Sequence, residues 1–491
     1  MSIENFLSGV GTLAIVCNQW GDTGKGKIVD FFSGWADIIA RGTGGANAGH
    51  TIKIGDKTYI FHLIPCGIIY DSEGKTNVIG NGVAFNPRAV LDELKFLNEN
   101  GLSYNNLKIA YNAKLVLPQH IVMDKLERGR IGTTGRGIGP VYTDDVARKG
   151  LIVSDMLNKD IFKEKLKENL EDKLKLLSLE DPEAVRREIE KIEAAFFKPG
   201  EFFDVDAIVE QYTQYGRELR EMVIDTDDFM RGARSEGKRI LLEGAQGLLL
   251  SVKYGTYPFV TGSDCSVQGL ANGAGLSERD VDLTLGVVKA FYITRVGKGP
   301  FPTELGGKKS AEHCDNEEHT REYEEKKFPD VSVNDKDKFR QGVAIRRAGG
   351  EYGATTGRPR RVGWLDLPLL RHAIKINGPN IILTKLDVLK GCDEIKICFG
   401  YTCAGPDYVL GRKVIRQGEL IDVAIPQSEI LENCKPQYRT FNGGKTDISR
   451  VREYDDLPKE VISPVDYIEA VAKVNIRALS VGAERKQMIL R

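Results

Sequence analysis

The sequence lacks an excess of charge of either sign: 69 Lys and Arg stand against 70 Asp and Glu, a formal balance of −1. Without surplus cations there is no general pull towards a phosphate polymer or an anionic bilayer, which argues against a nucleic-acid-coating protein. No apolar run approaches the roughly 18 residues of a membrane span. The opening MSIENFLSGVG is too short and too polar for a secretory leader. There is no CxxC pair, and Cys17, Cys66, Cys265, Cys314, Cys392, Cys398, Cys403 and Cys434 are scattered. That spacing reads as reduced thiols in a cytoplasmic protein rather than a disulfide framework. His313, Cys314 and His319 lie close together, but in a charged run with no second ligand pair, so a solvated loop is expected there instead of zinc. Internal repeats and low-complexity linkers are also missing.

What is present is an ordinary globular composition, 41% hydrophobic and 28% charged. Length alone would allow about three domains. Glycine is abundant, 53 of 491 residues, and it gathers in polar motifs that follow apolar runs: Leu13-Ala-Ile-Val-Cys17, Ile240-Leu-Leu242 and Asn380-Ile-Ile-Leu-Thr384. Buried strands ending in glycine-rich loops predict an α/β fold with a large, mostly parallel central sheet flanked by helices. Ligands gather at the carboxyl ends of such strands. Two segments depart from this texture. Over residues 157–200, Phe162, Leu166, Leu170 and Leu174, then Val185, Ile189, Ile192 and Phe196, recur at helical spacing and predict amphipathic surface helices. Residues 308–340 are dense in charge and read as a solvated loop or helical insertion. Neither resembles a separate domain, so residues 1–491 are expected to form one.

The sharpest local signal is Gly21-Asp-Thr-Gly-Lys-Gly-Lys27 directly after the first apolar strand. Its glycines free backbone amides to face a polyphosphate, and the helix that follows adds the positive end of its dipole. Ile28 stands where an ordinary P-loop has a Ser or Thr metal ligand. Asp22, a hard carboxylate inside the loop, is the candidate Mg²⁺ ligand and also a candidate base. Gly44-Gly-Ala-Asn-Ala-Gly-His-Thr51 places His50, one of only six histidines, among small residues where a substrate can approach. Acid catalysis or support of a developing phosphoryl charge suits it. Gly132-Thr-Thr-Gly-Arg-Gly-Ile-Gly139 is a second anion cradle. In Gly353-Ala-Thr-Thr-Gly-Arg-Pro-Arg-Arg361, three arginines within four residues suit phosphate or carboxylate. Thr384-Lys-Leu-Asp387 ends an apolar strand with a carboxylate able to accept guanine N1–H and its amine.

In this order the motifs resemble the adenylosuccinate synthetase family. QWGDTGKGKIVD (19–30), GGANAGHT (44–51), GTTGRGIGPVYTDDVAR (132–148) and EGAQG (243–247) carry the likeness. GTYPFVT (255–261), VGKGPFPTEL (296–305), GATTGRPRRVGW (353–364) and TKLDVL (384–389) complete it. The resemblance implies a P-loop-NTPase-like variant with helical and charged insertions that joins IMP to L-aspartate using GTP. It implies Asp22 and His50 as catalytic residues and Mg²⁺ held by Asp22 and the Gly49 carbonyl. GTP would be met by Gly21, Thr23, Gly24, Lys25, Gly26, Lys27, Thr51 and Arg360. Its guanine end would fall to Lys385, Leu386, Asp387, Ser480, Val481 and Gly482. Asn47, Thr134, Gln246, Thr261 and Arg358 would bind IMP. Arg358, with Thr355 and Thr356, would also meet the aspartate carboxylates. Arg148 would reach the IMP site of a neighbouring subunit, implying a homodimer. Neither nucleic acid nor membrane is an expected partner. Thr23 stands where the family usually has glutamate, which removes a negative charge beside the expected base. Two other readings stay open at this level: a ligase joining aspartate to (d)GMP, and a non-catalytic GTP-binding regulator.

Overall fold

The computed structural model describes every residue except 55–56, 128–131 and 354–356. Ten strands form the central sheet: β1 Thr12–Cys17, β2 Ile38–Arg41, β3 Thr76–Ile79, β4 Leu107–Ala110, β5 Val223–Ile224, β6 Ile240–Glu243, β7 Leu283–Lys289, β8 Asn380–Thr384, β9 Asn475–Ser480 and β10 Met488–Leu490. Their spatial order is β5-β4-β3-β2-β6-β1-β7-β8-β9-β10. Every pairing is parallel except the last, β9 with β10. Helices and loops cover both faces of a parallel sheet, so its strands are apolar throughout rather than alternating. All six residues of β1 and all four of β6 are buried, as the runs at Leu13 and Ile240 predict.

β1 is central, between β6 and β7. The crevice beyond the carboxyl ends of these strands is where a doubly wound sheet receives ligands. Helix α1, Lys25–Ser33, leaves β1 through the glycine-rich loop. A second sheet, built on Tyr292–Arg295, Arg361–Asp366, Glu394–Cys403 and Cys434–Asn442, packs alongside.

The segment 157–200 holds helices Lys159–Leu177 and Pro182–Ile192, capped by Asn158 and Asp181. Phe162, Leu166, Val185 and Ile189 are fully buried. Phe196 is buried too, but it falls in a separate short turn, because the second helix stops at Ile192.

The charged segment differs from expectation at its histidines. His313 and Cys314 lie on a helix, Gly307–Asp315, and both are buried. His319 packs against His313, 4.2 Å between ring centroids with the planes tilted by 31°. The reason is a partner no local pattern reveals: the buried carboxylate of Glu324, 2.7 Å from His313 Nε2. All eight cysteines are free and buried. No described helix is long and apolar enough to cross a membrane.

Candidate active site

The loop after β1 turns sharply, with Gly21, Asp22 and Gly24 all at positive φ (82°, 53° and 81°). Asp22 holds this conformation without the freedom of glycine, a local strain of the kind found where a side chain must be aimed. Gly24 caps α1 without a side-chain hydrogen bond, and no acidic residue occupies the first turn. The leading amides of α1 therefore face the crevice as donors for an anion. The helix Ile138–Ala147 repeats the arrangement, with Gly137 at φ 78° and no side-chain cap.

His50 opens the short strand His50–Ile54 that follows β2 and is pressed against α1. A Cβ on Gly26 would lie 3.0 Å from the Thr51 carbonyl oxygen and 3.3 Å from the His50 carbonyl carbon. A side chain here would crowd the backbone of residues 50 and 51, and glycine lets the phosphate-loop helix come this close. His50 Nδ1 lies 2.5 Å from Oε1 of Glu243, the last residue of β6. The Cys66 amide donates to the other carboxylate oxygen at 2.7 Å, and the Cys66 thiol donates to Oε1. Burial pushes the His50 imidazolium below its ordinary range despite the pull of Glu243. Burial disfavours the Glu243 charge too, but His50, Arg41 and the Cys66 amide together hold its carboxyl low. The favoured state is thus a neutral His50 donating from Nδ1–H to a carboxylate, with Nε2 left for the cavity.

A cavity of about 760 Å³ runs along the carboxyl ends of β1, β2, β6, β8 and β9. Its wall at one end is the loop Gly21–Lys27 with Asn47, Gly49, His50 and Thr51. Thr134, Gln246, Thr261, Lys385, Asp387, Ser480 and Gly482 line it as well. Gln246, itself at φ 48°, donates from Nε2 to Asn47 Oδ1 at 2.7 Å and receives Lys25 Nζ on its carbonyl. Lys27 is tied into the late loop instead of reaching out: its Nζ donates to Ser480 Oγ and to the Gly482 carbonyl, each at 2.7 Å. Burial lowers its pKa to about 8. Thr23 is buried at the wall with Oγ1 unpartnered among the described residues, and its carbonyl accepts from Thr384 Oγ1 at 2.7 Å.

The three arginines of the 353–361 motif separate. Arg360 lines the cavity, with Nε 2.9 Å from Asp22 Oδ2 and Nη1 2.8 Å from Glu351 Oε2. Arg361 is unavailable to a ligand: it is held by Glu304 and by the Gly297 and Gly299 carbonyls, because it opens a strand of the second sheet. Arg358 is half-buried and does not line the cavity. Thr355 and Thr356 lie outside the described residues. Leu386 and Val481 are buried behind the wall, leaving only backbone roles. Arg148 stands exposed at the end of the helix Ile138–Ala147, also away from this cavity.

Sequence reasoning assigned no role to Glu243, nor to Asp30, which lines the cavity and is gripped by Arg485 through two contacts of 2.7 Å. A signal did exist. Ile240-Leu-Leu-Glu243 sets a carboxylate at the end of a wholly apolar strand, where charge is costly unless paired.

The adenylosuccinate synthetase family model matches residues 14–489. The adenylosuccinate synthetase of Halothermothrix orenii is 41% identical, across 98% of this chain and 99% of that protein. That of Streptococcus gordonii is 39% identical across 97% of each. The solved structure of fully ligated adenylosuccinate synthetase from Plasmodium falciparum superimposes with a TM-score of 0.80 at 33% identity, covering 98% of this chain and all of that one. The succinoaminodeoxyadenylate synthetase of cyanophage S-2L, solved with dGMP and dATP, shares only the fold, with a TM-score of 0.53 at 17% identity. The (d)GMP alternative is accordingly not favoured. The chain belongs to the adenylosuccinate synthetase family.

Proposed function

We propose that this chain performs the GTP-dependent ligation of L-aspartate to IMP, giving adenylosuccinate, GDP and phosphate, with Asp22 as the base and His50 as support for phosphoryl transfer. The C6 oxygen of a purine is a poor leaving group for an amine, and phosphorylation removes that obstacle. Asp22 takes the N1 proton of IMP, and O6 attacks the γ-phosphorus of GTP while the bond to the β–γ bridging oxygen breaks. The aspartate amine then attacks C6 and sheds a proton, and phosphate departs with O6. His50 faces the cavity with Nε2, and an arriving triphosphate supplies the negative charge that favours its protonation, so that Nε2–H can donate to the transferring group. Glu243 holds the ring in that orientation.

Asp22 and the Gly49 carbonyl both line the cavity, and an all-oxygen donor pair suits Mg²⁺. Bound there, the ion would neutralise phosphate charge. Asn47, Gln246, Thr134 and Thr261 would hold IMP, with Arg148 from a neighbouring subunit in a homodimer. The 353–358 loop, bearing Thr355, Thr356 and Arg358, would hold aspartate. Lys385 and Asp387 would select guanine. Eight unpaired cysteines fit a reducing compartment, and we place the reaction in the cytoplasm.

The observation that carries this reading is the meeting of Asp22, His50 and Asp387, from three separate segments of the chain, in one cavity. The test is phosphate release from GTP with IMP, dGMP and L-aspartate supplied singly and together. Release is expected only with IMP and aspartate, and release with dGMP in place of IMP would overturn the assignment. Asp22→Asn should lower turnover by roughly 10²- to 10⁴-fold while GTP still binds.

A further inference from the structure

We infer that the charged insertion braces the loop that receives L-aspartate through one buried carboxylate, Glu324, which makes Glu324 a positioning residue of the ligation reaction. The inference rests on the assignment of the 353–358 loop to aspartate given above.

Glu324 sits on the short helix Arg321–Lys327 and is completely buried. Its carboxylate gathers three side chains. Arg346 Nε donates at 3.0 Å to each oxygen, Tyr352 OH donates to Oε2 at 2.7 Å, and His313 Nε2 lies 2.7 Å from Oε1. Arg346 Nη1 then donates to the Arg360 carbonyl at 2.6 Å. Tyr352 and Arg360 occupy opposite stems of the loop. The stems pair with each other through the Tyr352–Pro359 bridge, the Arg360 amide on the Glu351 carbonyl at 2.9 Å, and the Gly353 amide on the Arg358 carbonyl at 2.8 Å. One carboxylate thus fixes both ends of the loop, directly on one stem and through Arg346 on the other. The second stem also carries the Arg360 guanidinium to Asp22.

A planar guanidinium gripped by two carboxylate oxygens has little freedom to pivot. Burial disfavours the Glu324 charge, yet His313, Arg346 and Tyr352 hold its pKa down to about 2. It therefore acts as an acceptor for all three donors. Segments that carry substrate-binding groups must be held within a fraction of an ångström, and this carboxylate supplies that constraint from outside the cavity.

The test compares Glu324→Gln, the milder Tyr352→Phe, and Glu322→Gln as a control on the same helix with an exposed side chain. Steady-state kinetics varies each substrate in turn. For Glu324→Gln the KM for L-aspartate should rise on the order of 10-fold, by a clearly larger factor than the KM for IMP or for GTP. Tyr352→Phe should move the same parameter by a smaller factor, and it serves alone if Glu324→Gln does not fold. Glu322→Gln should match the parent. Hydrogen exchange gives a readout that needs no substrate: the Gly353, Gly357 and Arg360 amides should exchange faster in Glu324→Gln while those of α1 do not. Proportional changes in all three KM values, or an unchanged aspartate KM with unchanged exchange, would overturn the brace. A parent enzyme that does not use IMP with aspartate overturns the function instead, and the exchange result still decides the brace.

Discussion

His50 Nδ1 and Glu243 Oε1 lie 2.5 Å apart although 193 residues separate them in the chain. The contact joins the start of the strand His50–Ile54, which follows β2, to the end of β6, the neighbour of β2 in the sheet. Parallel pairing thereby sets the catalytic candidate beside the carboxylate that orients it.

Replacing that carboxylate tests its role. Glu243→Gln keeps the shape but can present its amide NH₂ to Nδ1, favouring the other tautomer. Turnover should fall on the order of 10²-fold with GTP affinity nearly intact, measured by phosphate release and nucleotide titration. Equal loss of both would mean that Glu243 only supports the fold.

Asp387 lines the cavity. On the proposed guanine assignment, Asp387→Asn exchanges an acceptor pair for a mixed group and would lose one charge-assisted hydrogen bond to the base. Preference for GTP over ATP should drop by about 10-fold or more. An unaltered ratio of kcat/KM for the two donors would remove Asp387 from the guanine site.

Arg148 stands exposed at φ 61° and does not line the cavity of its own chain. If it completes a neighbour's site, Arg148→Ala and Asp22→Asn should each be nearly inactive, yet mixing and re-equilibrating them should restore roughly a quarter of parental activity. No recovery, in a mixture shown to exchange subunits, would place Arg148 outside the site.

Asp366 caps the helix Leu367–Asn377 and receives the Tyr401 hydroxyl at 2.5 Å, while its Oδ2 finds no partner among the described residues. Burial raises its pKa to about 7. A folded value above the unfolded one means that the native state binds the extra proton, so this stabilisation is lost as pH rises from the ordinary carboxylate range through 7. Asparagine caps a helix as well as aspartate and does not titrate. The melting temperature of Asp366→Asn relative to the parent should therefore climb by a few degrees between pH 5 and pH 8. Parallel curves for the two proteins would mean that Asp366 is ionised throughout.

The sequence by itself determined the strands, the glycine-rich loops and the class of chemistry. Apolar runs such as Leu13 to Cys17 have no stable place except inside a covered sheet, and the spacing of Gly21, Gly26 and Lys27 is a local property that needs no distant partner. It singled out Asp22, His50 and Asp387, and all three line one cavity. Only the tertiary structure decided which charges meet. Arg360 turns to Asp22 whereas Arg361, its neighbour, is consumed by Glu304, and Lys27 is anchored on a loop 453 residues away at Ser480. The charged insertion read as solvated because Glu324 looks like any other acid in its run, yet Arg346, Tyr352 and His313 bury it. Periodicity and motif spacing record what a residue does with its near neighbours. The pairing of a buried charge depends on partners that only folding brings within reach.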